Sequence, residues 1–115
     1  SSSNVGKMVY NRVFGLIAPM VKKEMNEQFY FFQKQAGRFV WLNWEPQGEK
    51  ASFRVEVSKD PEFKDIIKSS MTTKKRILVT EQVLPGDYYW RVRSESADRY
   101  SDWSSTHSFK VQVGQ

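Results

Sequence analysis

The stretch Leu84-Pro85-Gly86-Asp87-Tyr88-Tyr89-Trp90-Arg91-Val92-Arg93-Ser94-Glu95 constrains the fold more than any other part of the chain. Proline presets φ and glycine tolerates positive φ, so Pro85-Gly86-Asp87 marks a tight turn. The residues after it are aromatic, β-branched or long, a composition that suits a pleated strand. Side chains alternate across a strand. Tyr88, Trp90 and Val92 therefore share one face, read as core, while Tyr89, Arg91 and Arg93 share a cationic and partly aromatic one. Tyr100-Ser101-Asp102-Trp103-Ser104 follows closely enough to fold back onto that second face.

The same two-residue period recurs along the chain. Val40, Leu42 and Trp44 alternate with Phe39, Trp41 and Asn43. Phe53, Val55 and Val57 alternate with Arg54 and Glu56; Ile77 and Val79 alternate with Leu78; and Phe109, Val111 and Val113 form the inward set of a last strand. The aromatic run 29–32 and Ile66-Ile67 read as further short strands, and Met20 to Met25 as an irregular edge strand. Turn signals separate these segments: Gln35-Ala36-Gly37, Gln47-Gly48-Glu49-Lys50 and Lys59-Asp60-Pro61. Phe63, just beyond, is placed as a plug at the sandwich edge. About seven short strands without a long helical period predict an all-β, two-sheet antiparallel Ig-like sandwich. The expected core includes Leu42, Trp44, Phe53, Val55, Tyr88, Trp90 and Val92.

At 115 residues the chain has room for one core rather than two. Residues 19–115 are expected to form the domain, entered at Pro19. Residues 1–18 read as a tag remnant, linker or covering segment; Ser1-Ser2-Ser3 has the look of an added remnant, which leaves room for a native signal or anchor ahead of it. No apolar run approaches the roughly 20 residues needed to cross a bilayer. The absence of cysteine excludes disulfides and thiolate metal sites.

Chemistry is sparse. With His107 as the single histidine, transition-metal sites and Ser-His or Cys-His nucleophilic pairs lack their parts. Asp60, Glu62 and Asp65 crowd oxygens, but Ca²⁺ takes about six to eight ligands and a solvated turn accounts for them. No cofactor and no catalysis are expected. The formal charge of +5 is spread among acidic residues, and only Lys22-Lys23 and Lys74-Lys75-Arg76 cluster, so nucleic acid or another anionic polymer is a lesser reading. Two aromatic features stand out. Tyr89, Arg91, Arg93, Tyr100 and Trp103 are expected to form an Arg–aromatic ladder, with Arg91 or Arg93 stacked on Trp103. Phe39 and Trp41 make their strand apolar on both faces, a pattern that calls for a cover; either residues before Pro19 or the run 29–32 supplies it, or the pair is a binding surface.

Taken together, these residues resemble a fibronectin type III domain from about Pro19 to Val113. Leu42-Asn43-Trp44 with Pro46 is similar to the second-strand pattern, and Phe53-Arg54-Val55-Glu56-Val57 to the third strand. Leu84, Pro85, Gly86 and Tyr88 resemble the turn and tyrosine corner, which implies that the Tyr88 hydroxyl bonds back to the turn. Tyr100-Ser101-Asp102-Trp103-Ser104 is similar to a Trp-Ser-x-Trp-Ser box with tyrosine in the first place. Ser58-Lys59-Asp60-Pro61-Glu62-Phe63 and Phe109-Lys110-Val111 add a likeness to bacterial cell-envelope, lipoprotein or FecR-like repeats. The long aromatic run 29–32 and the residues before Pro19 depart from the pattern. The resemblance implies a non-catalytic, extracytoplasmic (periplasmic or cell-surface) interaction or spacer module of a larger bacterial protein. Protein is the implied partner, with carbohydrate or peptidoglycan, held on Trp41, Tyr89 or Trp103, as the alternative.

Overall fold

The computed structural model describes residues 16–33, 37–80 and 83–114. Eight strands lie among them, in two sheets: β1 (Phe29–Phe32), β2 (Val40–Asn43), β3 (Ser52–Ser58), β4 (Ile66–Thr72), β5 (Arg76–Val79), β6 (Gly86–Ser96), β7 (Arg99–Tyr100) and β8 (His107–Val113). The larger sheet runs β1-β8-β6-β3-β4, with β7 beside β6; the smaller is β2 with β5.

The alternating sets meet between the sheets. Val40, Leu42 and Trp44 with Val79 form one wall, and Phe53, Val55, Val57, Tyr88, Trp90, Val92, Phe109 and Val111 the other; all are buried. Register follows from this pattern, because a slip by one residue would turn every apolar side chain outward. Val55 therefore pairs with Val92, and Val40 with Val79.

The structure differs from the sequence reading at the N-terminal end. Residues 20–25 do not form an edge strand: Met20 makes a single bridge to Glu45, and the chain then turns through a 3-10 segment, Lys23–Met25. The aromatic run crosses to the other sheet and pairs parallel with β8, Phe29 opposite Lys110, whereas the other strand pairs among the described residues are antiparallel. The cause lies in the side chains. On β8's edge Tyr30 packs edge-to-face on Phe109 at 5.7 Å, and Phe32 stacks on Tyr30 at 6.0 Å. Packing also begins ahead of Pro19, where Leu16 is buried and the Ser94 hydroxyl donates to the Ile17 carbonyl at 2.9 Å.

Candidate functional site

Two surfaces gather the residues of interest. The first is the outer face of β6. Gly86 takes φ +145°, a value open to glycine, and this turn brings Tyr88 back over Leu84. Its hydroxyl donates to the Leu84 carbonyl at 2.6 Å and accepts the Leu84 N–H at 2.8 Å. With Tyr88, Trp90 and Val92 thus inward, Arg91 and Arg93 stand outward, roughly 7 Å apart at about 3.4 Å per residue. That gap admits one aromatic ring. Trp103 fills it, 4.2 Å from the Arg91 guanidinium and 4.6 Å from that of Arg93, and Tyr100 continues the stack 4.3 Å beyond Arg93.

Serines hold Trp103 there by imitating a strand. The Ser101 and Ser104 N–H groups donate to the carbonyls of Ser94 and Val92, and their hydroxyls accept the N–H groups of the same two residues. At the other end the sequence reading needs correction: Phe63, not Tyr89, closes the ladder, 4.1 Å from Arg91. Tyr89 and Arg91 are separated by another 7 Å gap, so the ring that touches Arg91 must come from a different segment. Phe63 reaches it from the loop after β3, at φ 58°. Glutamates complete the face. Arg91 places two nitrogens on Glu56 Oε1 (3.1 and 2.8 Å), and Glu95 Oε2 accepts from Arg54 and Arg93 (3.0 and 2.8 Å). Both faces of the Trp103 ring are covered and every outward arginine is paired, which makes this face internally satisfied.

The second surface is the outer face of the β2–β5 sheet. Trp41 lies opposite Leu78, and the Arg76 guanidinium covers the Trp41 ring at 4.2 Å. Phe39 is 49% exposed, Leu78 38% and Leu84 46%. These three, with Gly37, Arg38, Thr80 and Val83, line a groove of about 460 Å³. The run 29–32 belongs to the other sheet and covers this face only at Tyr30, which shares a cleft with Phe39 and Trp41 and brings its hydroxyl to 3.5 Å from the Trp41 carbonyl. The part of the proposed cover before residue 16 lies outside the described residues. Just past the end of β2, on its inner side, Trp44 is buried edge-to-face against Phe53 at 5.7 Å, and its indole N–H has no hydrogen-bond partner among the described residues.

The remaining polar candidates do other work. Asp60 Oδ1 accepts the Asp65 N–H and the Ser58 hydroxyl, both at 2.8 Å, and these bonds, that to Asp65 foremost, hold its carboxyl below the usual range. Its oxygens are thus occupied in shaping the turn, and no group of three or more metal-binding side chains occurs among the described residues. His107, 3.1 Å from the Ser105 hydroxyl, has its pKa lowered by burial first and by Lys23 second. In the basic clusters Lys22 pairs with Glu45 at 3.2 Å, and Arg76 is engaged on Trp41. The sequence reading missed Arg76 over Trp41 and Asn26 against β2. Strand alternation placed Arg76 and Leu78 in one phase, which was the available signal for the former; a loop asparagine carries none.

No family model matches the sequence, and no curated protein matches it. Solved structures do. A human fibronectin type III domain determined in solution superposes with a TM-score of 0.61 at 16% identity, covering 100% of this chain and 88% of that one. A fibronectin type III-like protein from Clostridium thermocellum gives 0.59 at 16% identity, covering 88% of this chain and 96% of that one. A β-1,2-glucanase from Parabacteroides distasonis gives 0.61 at 18% identity over 84% of this chain, which spans only 13% of the enzyme. With its tyrosine corner and this strand order, the chain adopts the fibronectin type III fold.

Proposed function

We propose that this domain is a non-catalytic interaction or spacer module of a larger extracytoplasmic bacterial envelope protein, and that it binds protein through the outer face of the β2–β5 sheet. Domains of this fold commonly serve as interaction or spacer modules, and one of the structural neighbours is a fibronectin type III-like protein from Clostridium thermocellum. The observation that carries the reading is the contrast between the two faces. The arginine ladder satisfies itself, whereas Phe39, Leu78 and Leu84 stand partly in water around one groove, and exposed apolar groups gathered in this way mark interaction sites. The carbohydrate alternative needs free aromatic faces. Trp103 has none, and Trp41 has one covered by Arg76.

The test is a photoreactive residue at position 78 in cells that make the full-length protein. The expected result is a protein adduct that Phe39→Ser abolishes without lowering the melting temperature. Glycan-array binding lost in Trp41→Ala, with no protein adduct at 78, would instead establish the carbohydrate reading.

A further inference from the structure

The backbone of β2 alternates between its two edges, as in any antiparallel ladder. The Trp44 N–H donates to the Lys75 carbonyl at 3.1 Å, so residues 40, 42 and 44 face β5, and residues 41, 43 and 45 face the opposite edge. That edge is closed at two points. Glu45 exchanges both of its bonds with Met20, at 2.8 and 2.9 Å. Asn43 gives its N–H to the Asn26 carboxamide at 2.8 Å, and its carbonyl accepts from the same group at 3.1 Å. At Trp41 the closure stops. Its N–H has no acceptor among the described residues, and its carbonyl has only the Tyr30 hydroxyl at 3.5 Å, beyond the 2.5–3.0 Å span of a good O–H···O bond.

The opening follows from the path of the chain. After Met20 it leaves β2 through the 3-10 turn and reappears on β8, so among the described residues no strand lies beside Trp41. A cleft of about 210 Å³ lies there, with Tyr30, Phe39 and Trp41 on its walls and Glu24 and Glu27 at its rim. Neither glutamate forms an ion pair among the described residues, on a chain whose net charge is +5. The field of Glu27 reaches into the cleft: with burial as the larger cause, it helps push the Tyr30 hydroxyl up to about 12.

We infer that the open edge of β2 at Trp41 takes up an extended, basic peptide segment of another protein as an added strand. This deepens the protein-binding reading and rests on it. Backbone groups of the incoming segment supply the missing partners of Trp41, which is the source of affinity in strand addition. Its apolar side chains lie on Phe39 and Tyr30, and its lysines or arginines meet Glu24 and Glu27. A second copy of this chain is the poorer occupant, because pairing two β2 edges brings two acidic rims and two net positive charges together.

The experiment uses the full chain labelled with ¹⁵N and, as probe, the acetylated and amidated peptide Thr-Lys-Val-Arg-Val-Lys-Thr. At a peptide concentration about ten times its Kd, exchange of the Trp41 amide is expected to slow about tenfold. A peptide N-methylated at every residue should fail to bind, since it lacks the ladder donors on both of its edges. Glu24→Gln with Glu27→Gln should weaken binding roughly fivefold, as two exposed ion pairs would. No binding up to about 1 mM peptide overturns the inference. Binding that leaves the Trp41 amide unchanged, or that survives N-methylation, also overturns it, while the apolar-patch reading and its adduct at position 78 remain standing. A Trp41 amide already protected in the free chain and released by deleting residues 1–14 assigns the edge to the chain's own segment. Protection that rises with protein concentration assigns it to a second copy. Either result overturns the inference.

Discussion

Trp44 has no exposed surface and, among the described residues, no partner for its indole N–H, so its two simplest replacements should behave very differently. Trp44→Ala removes one of the two largest fully buried side chains and is expected to cost about 3 to 5 kcal/mol in urea unfolding. Trp44→Phe keeps a ring against Phe53 and removes the orphan donor, whose burial costs about 1 to 3 kcal/mol; it should cost clearly less than alanine. Equal losses would show that the indole N–H is satisfied in solution. Tyr88→Phe deletes one hydroxyl that serves both the N–H and the carbonyl of Leu84, and a loss of about 1 to 2 kcal/mol is expected. His107 gives a pH signature. Its pKa is lowered in the folded state, so the unfolded chain binds the proton more tightly. Its stabilising contribution is complete above the unfolded value near 6.5 and is lost as pH falls below it, toward the folded value. Urea midpoints from about pH 8 down to pH 5 should therefore fall further in the wild type than in His107→Gln. At this scale alternation made Trp44, Tyr88 and Trp90 legible as core, since the inward phase of a strand is written in every second residue. Asn26 was not legible, because a carboxamide that caps a neighbouring strand follows no period.

Among the elements, β6 and its ladder show how far spacing alone reaches. Two outward arginines two residues apart leave room for one ring, and the serine-flanked tryptophan ten residues on supplies it. Arg93→Lys keeps the charge but removes the plane between Trp103 and Tyr100, and should cost about 1 to 2 kcal/mol; an unchanged melting curve would mean that the stack contributes nothing. The end ring was mistaken because Tyr89 shares the face of Arg91, and sharing a face does not bring two side chains into contact. For β2 the decisive partner is Asn26. Asn26→Ala strips both backbone groups of Asn43 of their partners and should destabilise by about 1 to 3 kcal/mol. Faster exchange of the Asn43 amide would identify the cause.

At the scale of the molecule, the fold class was legible because seven of the eight strands announce themselves by alternation or by turn chemistry. The path of the first strand was not: nothing in Phe29-Tyr30-Phe31-Phe32 states which sheet edge will bury Tyr30 and Phe32. The parallel pairing of β1 with β8 has a further consequence during synthesis. Roughly 80 residues separate Phe29 from Lys110, its partner in register. At about 5 to 20 residues per second, β1 waits some 4 to 16 seconds for the strand that receives it. Throughout that interval four consecutive aromatic residues are presented as an unpaired edge, the kind of segment from which aggregation starts. Because β8 is the strand that shelters β1, this domain is most exposed to misassembly in the interval just before β8 emerges.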